Sequence, residues 1–215
     1  TVVNLESAHH QGHINAARDV GLQLTLEECF QQIPHFIGGP TEKIAEEISQ
    51  LAFERVGSHV DPKEVLASTN SYYLQFLEQV HIQPRQGFMY FFQTMKDLGI
   101  KYTIGSLTPN NEASIILQRS GIGELFGYGN IVLREHVKNL KPAPDVWIET
   151  ARRAEVEPNE QLVFEDSPRG VIGAVALSAY CVGMPVYNSP NIIKALIDAG
   201  AKIIFRYTGK SVYLV

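Results

Sequence analysis

Gln161-Leu162-Val163-Phe164-Glu165-Asp166-Ser167-Pro168-Arg169-Gly170 is the stretch on which the fold turns. Its first four residues read as a short strand bounded by turn formers, and the chain leaves that strand directly into two adjacent carboxylates. The same alternation of short apolar runs with helical stretches continues on both sides. It predicts helix 88–98 ended by Gly99, strand 101–106, helix 111–120, strand 130–133, helix 144–154, strand 161–164, helix 169–178, strand 180–184, helix 190–199 and strand 202–205. Strict alternation implies an α/β fold, with a parallel sheet covered by helices on both faces. Ligands of such sheets sit outside the carboxyl ends of the strands, so the chemistry should lie just past each strand.

Upstream of Gly87 the pattern differs. Residues 4 to 80 carry apolar positions at three- and four-residue spacing, such as Ile44, Ile48 and Leu51, and then Val65, Tyr72, Tyr73, Phe76 and Val80. These are helix periods, and no strand is needed. Asp61-Pro62-Lys63-Glu64 is a strong helix start, because Asp caps free amides, Pro suits the first turn and Glu can reach back. Pro84 and Gly87 mark the change of pattern and a domain boundary. The expected organisation is an α/β core of residues 1–5 and 84–215 interrupted by a helical domain of residues 6–83.

With 215 residues and 45% hydrophobic content the chain buries a full core. Eighteen basic against twenty-three acidic residues give a net charge of −5, without the basic run that a nucleic-acid partner requires. No apolar stretch approaches the roughly 18 residues of a membrane span, and the first residues do not form a signal peptide. Two cysteines in unlike contexts, Cys29 and Cys181, fit a reducing compartment. The expectation is a soluble cytoplasmic protein, monomer or homodimer, with no nucleic-acid or membrane partner.

Three segments that follow predicted strands carry chemistry. Glu165 and Asp166 offer hard oxygen ligands suited to Mg²⁺, which takes one or two carboxylates beside a substrate phosphate. The competing reading is that Asp166 or Ser167 only caps the next helix. Ser106, in Gly105-Ser106-Leu107-Thr108-Pro109-Asn110, places a hydroxyl near helix-terminal amides, a ready phosphate cradle, although Ser106 and Asn110 also suit an ordinary loop and cap. Lys141, in Lys138-Asn139-Leu140-Lys141-Pro142-Ala143-Pro144-Asp145, sits on a turn stiffened by two prolines, where a cation can balance phosphate charge. Lys138 reads as solvated.

Taken together, Gly-Ile-Lys-Tyr-Thr-Ile-Gly-Ser, Lys-Pro-Ala-Pro-Asp and Phe-Glu-Asp-Ser-Pro-Arg-Gly resemble the second, third and fourth motifs of the haloacid dehalogenase-like superfamily. The chain is most similar to the branch that contains β-phosphoglucomutase and phosphoglycolate phosphatase-like enzymes. The resemblance extends to Ile-Gly-Gly-Pro-Thr-Glu-Lys in the helical part, which looks like that branch's cap domain. It implies a Rossmann-like parallel sheet with an inserted helical cap, and Mg²⁺-dependent hydrolysis of a small phosphorylated metabolite through an aspartyl-phosphate. Carried over to these positions, Ser106 hydrogen-bonds the transferring phosphoryl group with help from Asn110, Lys141 offsets charge, and Glu165 and Asp166 hold the metal. His9 matches a substrate-facing cap position.

Two departures qualify the resemblance. The nucleophile and the general acid of this family come from an Asp-x-Asp-Gly-Thr/Val motif, and Thr1-Val2-Val3-Asn4 matches the residues just after its glycine. By itself the chain is expected to be inactive, and the natural protein is expected to start further upstream. The alternative is a catalytically dead phosphate-binding protein that has lost the motif. In the cap, Thr41 stands where β-phosphoglucomutase supplies an arginine that grips the second phosphate, in the loop opening at Gly38. A threonine there is expected to cap the helix it begins, and Lys43 can substitute only in part. A phosphatase is therefore favoured over a phosphomutase of the same fold. His9, His10 and His13 raise the question of a metal, since His9 and His13 share a helical face, but without a carboxylate or cysteine cluster nearby no zinc site is expected. Gly209-Lys210-Ser211 looks like the end of a P-loop, yet Ile204 replaces the first glycine and no long helix follows.

Overall fold

The computed structural model describes residues 1–37, 39–186, 189–208 and 211–214, with side chains up to residue 205. Gly38, Gly209 and Lys210 lie outside the described residues. The chain divides into two units, a helical one of Leu5–Val80 and an α/β one of Thr1–Asn4 with His81–Val215.

The helical unit comprises α1 (Glu6–Asp19), α2 (Leu26–Gln32), α3 (Thr41–Val56) and α4 (Pro62–Gln79). Local signals set the helix starts. Thr25 and Glu28 form a reciprocal capping box at α2, with Glu28 N donating to Thr25 Oγ1 at 3.2 Å and Thr25 N to Glu28 Oε2 at 2.7 Å. Asp61 Oδ1 accepts from Lys63 N at 2.9 Å, with Pro62 in the first turn of α4. At α3 the expected cap is absent: the N-cap is Pro40, Thr41 is already the first helical residue, and no side chain caps the helix. Pro40 is extended and fixes the entry, which leaves Thr41 one position too late for its hydroxyl to act as the cap. α1 packs on α4, and α4 on α3, around Ala17, Phe36, Ile44, Ile48 and Val65. Each large side chain buried there stabilises by about 1.5–3 kcal/mol before entropy is counted.

The α/β unit runs α5 (Phe88–Asp97), β1 (Ile104–Gly105), α6 (Asn110–Ser120), α7 (Ile122–Phe126), β2 (Ile131–Val132), α8 (Asp145–Ala154), β3 (Leu162–Glu165), α9 (Pro168–Val175), β4 (Tyr180–Gly183), α10 (Pro190–Asp198), β5 (Ile203–Thr208) and β6 (Ser211–Leu214). The alternation from β1 to β5 follows the sequence reading, with α7 and β6 as additions. Pairing departs from it in two ways. Among the described residues there are two sheets, a parallel β1-β2 pair and a β3-β4-β5-β6 sheet, and β6 runs antiparallel to β5. β1 and β2 are each two residues long where six and four were expected. A strand is held by its neighbours' hydrogen bonds, and among the described residues β1 and β2 pair only with each other, while β3 pairs only with β4.

Behind both sheets lies one apolar cluster that includes Val132, Val146, Trp147, Val163, Val171, Cys181 and Leu196. A second joins Phe88, Phe92, Leu117, Phe126 and Ile131, with Val2 and Val3 packed against it. Val2 O accepts from Arg85 N at 2.8 Å and Val3 bridges to Pro84, so the first residues are woven into this unit. Among the described residues no helix is long and apolar enough to cross a membrane.

Candidate active site

Lys141, Glu165 and Asp166 converge at the carboxyl end of β3. Glu165 is the last residue of that strand and is buried, 4% exposed. Lys141 Nζ lies 2.8 Å from Glu165 Oε2, with side-chain exposures of 12% and 5%. The other carboxylate oxygen of Glu165 accepts from Ser167 N at 3.0 Å and from Ser167 Oγ at 2.6 Å. Ser167 in turn caps α9, its hydroxyl accepting from Gly170 N at 3.1 Å. The helix-capping alternative therefore holds for Ser167 and not for Asp166.

Gly170 has no room for a side chain, because a Cβ there would stand 2.2 Å from Glu165 Cδ. The glycine of Ser-Pro-Arg-Gly lets the Glu165 carboxyl group fold back over the start of α9. Glu165 thus has both oxygens engaged, one by a cation and one by the turn.

Asp166 points elsewhere, with its Oδ2 against the backbone nitrogen of Thr1. Burial alone would raise its carboxyl group. With a free amino group on Thr1, that charge and Lys141 outweigh burial and hold the carboxyl group below the usual carboxylate range. Its side chain is 27% exposed against 5% for Glu165, and it is ion-paired to the Thr1 amino group. Among the described residues no cluster of three or more His, Cys, Asp or Glu is placed to hold a metal. Of the two carboxylates expected to hold a metal, Glu165 is committed to Lys141, which leaves Asp166 as the candidate.

The loop that carries Lys141 is pinned from several sides. Asn139 donates through its backbone N and its Nδ2 to Asp145 Oδ1, both at 3.0 Å, the Lys141–Pro142 peptide is cis, and Arg169 donates to Lys141 O. Lys138 is exposed, as its sequence context suggested. Ser106 follows β1 directly: its N donates to Val132 O at 2.9 Å, and its hydroxyl lies 2.8 Å from Thr108 Oγ1 while accepting from Thr108 N at 3.2 Å. Asn110 is exposed at the start of α6, and its backbone N donates to Glu135 Oε1 at 3.1 Å.

The remaining candidates belong to the helical unit. His9 is half-buried and stacks on Tyr73 with ring centroids 3.8 Å apart. Burial, with His10 adding, lowers its pKa to about 4, so it is a neutral ring at ordinary pH. Lys43 is exposed on α3 and pairs with Glu46 at 2.7 Å. Thr41, in the same first turn, is half-buried.

Trp147 escaped the sequence reading. It lies on α8 under the Lys141 loop, with the Lys141 ammonium 4.5 Å from its ring centroid. The one available signal was a lone tryptophan in Lys-Pro-Ala-Pro-Asp-Val-Trp, within helical reach of the lysine turn.

An α/β unit with a hydroxyl, a lysine and an acidic pair at successive strand ends defines the class: an open-sheet protein whose ligand site lies beyond the carboxyl edge. The chain belongs to the haloacid dehalogenase-like hydrolases, whose family model matches residues 1–184. It is 35% identical over 107 residues to a phosphorylated carbohydrates phosphatase of Thermotoga maritima, covering 50% of this chain and 48% of that protein. The chain thus spans about half the length of that relative. It is 26% identical over 176 residues to the fructose-1-phosphate phosphatase YqaB of Escherichia coli K12, covering 82% of this chain and 87% of that one. Among solved structures, a HAD hydrolase of family IA, variant 3, from Entamoeba histolytica superposes with a TM-score of 0.75 at 19% identity, over 95% of this chain and 87% of that one. A β-phosphoglucomutase from Clostridium difficile superposes at 0.67 and 18% identity, over 98% and 88%. At such identities these two likenesses establish the fold.

Proposed function

We propose that this chain is the body of a Mg²⁺-dependent phosphatase that hydrolyses the phosphate ester of a small phosphorylated metabolite. One observation carries the reading: Lys141 is ion-paired to Glu165 and the adjacent Asp166 to the Thr1 amino group, so a cation and two carboxylates gather at the end of β3 beside the first residue. An Asp-x-Asp-Gly segment ending just ahead of Thr1 would bring its aspartates to the same end of the sheet as this cation and these carboxylates. The open sides of β1 and β3 support a strand supplied by the same upstream residues.

In the proposed reaction the upstream aspartate attacks phosphorus and the ester oxygen leaves, protonated by a second aspartate two residues later. Water then cleaves the aspartyl-phosphate, releasing inorganic phosphate and restoring the carboxylate. Mg²⁺, held by Asp166, would neutralise phosphoryl oxygens. Ser106 would donate its hydroxyl to the phosphoryl group, with Asn110 nearby, and Lys141 would offset charge on nucleophile and phosphate. Glu165 acts at one remove, through Lys141. The helical unit would serve as the cap that reads the non-phosphate part, with His9, Thr41 and Lys43 as its candidates. Relatives named for phosphorylated carbohydrates and for fructose 1-phosphate favour a sugar phosphate.

Thr41 supports hydrolysis over mutase action, since a neutral hydroxyl cannot clamp a second phosphate as an arginine does. The test uses the protein extended to its natural start, assayed on β-glucose 1-phosphate and glucose 6-phosphate with a bisphosphate primer present. Phosphate release with negligible interconversion is expected. Faster interconversion would assign a mutase with Lys43 as the clamp, and no turnover with an encoded methionine directly before Thr1 would favour a phosphate-binding protein without catalysis.

A further inference from the structure

We infer that Trp147 is a positioning residue for Lys141, the indole on which all three strand-end segments of the site are assembled. Its ring face lies 4.5 Å from the Lys141 ammonium, and its Nε1 donates to Gly170 O at 3.0 Å. Trp147 is 5% exposed. Its neighbours are shaped around it. A Cβ on Gly105, the residue before Ser106, would stand 2.9 Å from the ring at Cζ3, and one on Gly173 would stand 3.4 Å from Cδ1. The Gly173 position also presses on Pro142 O and Ala143 O, each 3.1 Å from such a Cβ. The indole therefore touches the segment of Ser106, the turn of Lys141 and the helix that follows Glu165 and Asp166.

Lys141 is held from two sides by this arrangement. Glu165 fixes its charge by an ion pair, and the ring face of Trp147 limits where the ammonium can swing. A lysine is a flexible point charge with rotatable bonds, so catalytic placement of its ammonium depends on such confinement. Glycine at 105 and 173 allows the ring this close, and a smaller side chain at 147 would free both the lysine and the two segments around it.

Trp147 is also the sole tryptophan of the chain, so its emission reports on its surroundings directly. In the full-length protein, Lys141→Met is expected to change the intensity or maximum of tryptophan emission, whereas Lys138→Met, at an exposed position of the same loop, leaves both unchanged. Equal spectra for the two variants overturn the proposal. A kinetic arm rests on the phosphatase reading. Trp147→Leu is expected to lower kcat by about 10- to 100-fold through misplacement of Lys141, with KM little changed. Trp147→Phe, which retains a ring face, recovers most of the loss. Equal loss in both variants, at unchanged circular dichroism, overturns the positioning role. Should Trp147→Leu fail to fold, emission is compared with Lys141→Arg, which keeps a cation for Glu165 and for the ring: emission close to wild type supports the contact, and a change equal to that of Lys141→Met overturns it. If the wild-type protein shows no phosphatase activity, the functional reading fails while the emission test of Trp147 against Lys141 stands.

Discussion

The Nζ of Lys141 and the Oε2 of Glu165 lie 2.8 Å apart, 24 residues distant in the chain, with both side chains nearly removed from water. This pair fixes what each residue can do. Glu165 neutralises the lysine instead of offering two open oxygens to a metal, and the lysine is carried to the end of β3, next to Asp166. Breaking such a pair leaves an uncompensated buried charge. Lys141→Met or Glu165→Leu alone should destabilise by about 3–5 kcal/mol, and the double variant should recover much of that. Urea unfolding of the four proteins measures it, and additive losses in the double variant would contradict the coupling.

Gly170→Ala tests the turn that holds Glu165. The new methyl group would meet the carboxyl carbon at 2.2 Å, and that carboxyl group is tied to Lys141 and Ser167, so it cannot simply rotate away. A loss of about 1–3 kcal/mol in stability is expected, as for overpacking elsewhere. Phosphate release by the full-length protein should fall with it. An unchanged unfolding midpoint would show that the turn yields freely.

Asp166 is the proposed metal ligand. In the full-length protein, Asp166→Asn should abolish turnover and its dependence on a divalent cation, because a neutral amide holds a hard cation poorly. Lys141→Ala should lower the rate by about 10² or more. Chelation with EDTA is the direct check: activity undiminished in its presence would remove the metal from the reading.

Three histidines on α1 predict how the helical unit responds to acid. Burial lowers His13 to about 3 and His9 to about 4, and lowers His10 as well. Glu6, 3.8 Å from His10, is the acidic group paired with that cluster. A histidine with a depressed folded pKa binds its proton in the unfolded chain first, so stability is complete above the ordinary value of 6.5 and drains as pH falls towards 4. The slope should approach about 1.4 kcal/mol per pH unit for each histidine taking part. Urea midpoints between pH 7 and pH 4 measure it, and His13→Leu should flatten the curve. A flat wild-type profile would mean that these rings charge without disturbing the fold.

The sequence by itself determined the features that depend on near neighbours along the chain. The change from helix-only spacing before Gly87 to strand and helix alternation after it was legible, because hydrophobic period is a local property. So was the start of α4 at Asp61-Pro62, and so was the placement of Ser106, Lys141 and Asp166 just past strand ends. Local signals failed at Thr41, where Pro40 took the cap position, and at the ends of β1 and β2, whose lengths depend on strands elsewhere. The tertiary structure alone decided which groups face one another: Glu165 with Lys141, Asp166 with Thr1, Trp147 with Gly105, Lys141, Gly170 and Gly173, and the antiparallel return of β6 on β5. Those relationships join residues far apart in the chain and depend on burial and exclusion of water, which no local pattern encodes. The two adjacent carboxylates show the difference. They stand side by side in the sequence, yet one is tied to Lys141 in a buried ion pair and the other, more exposed, to the amino group of Thr1.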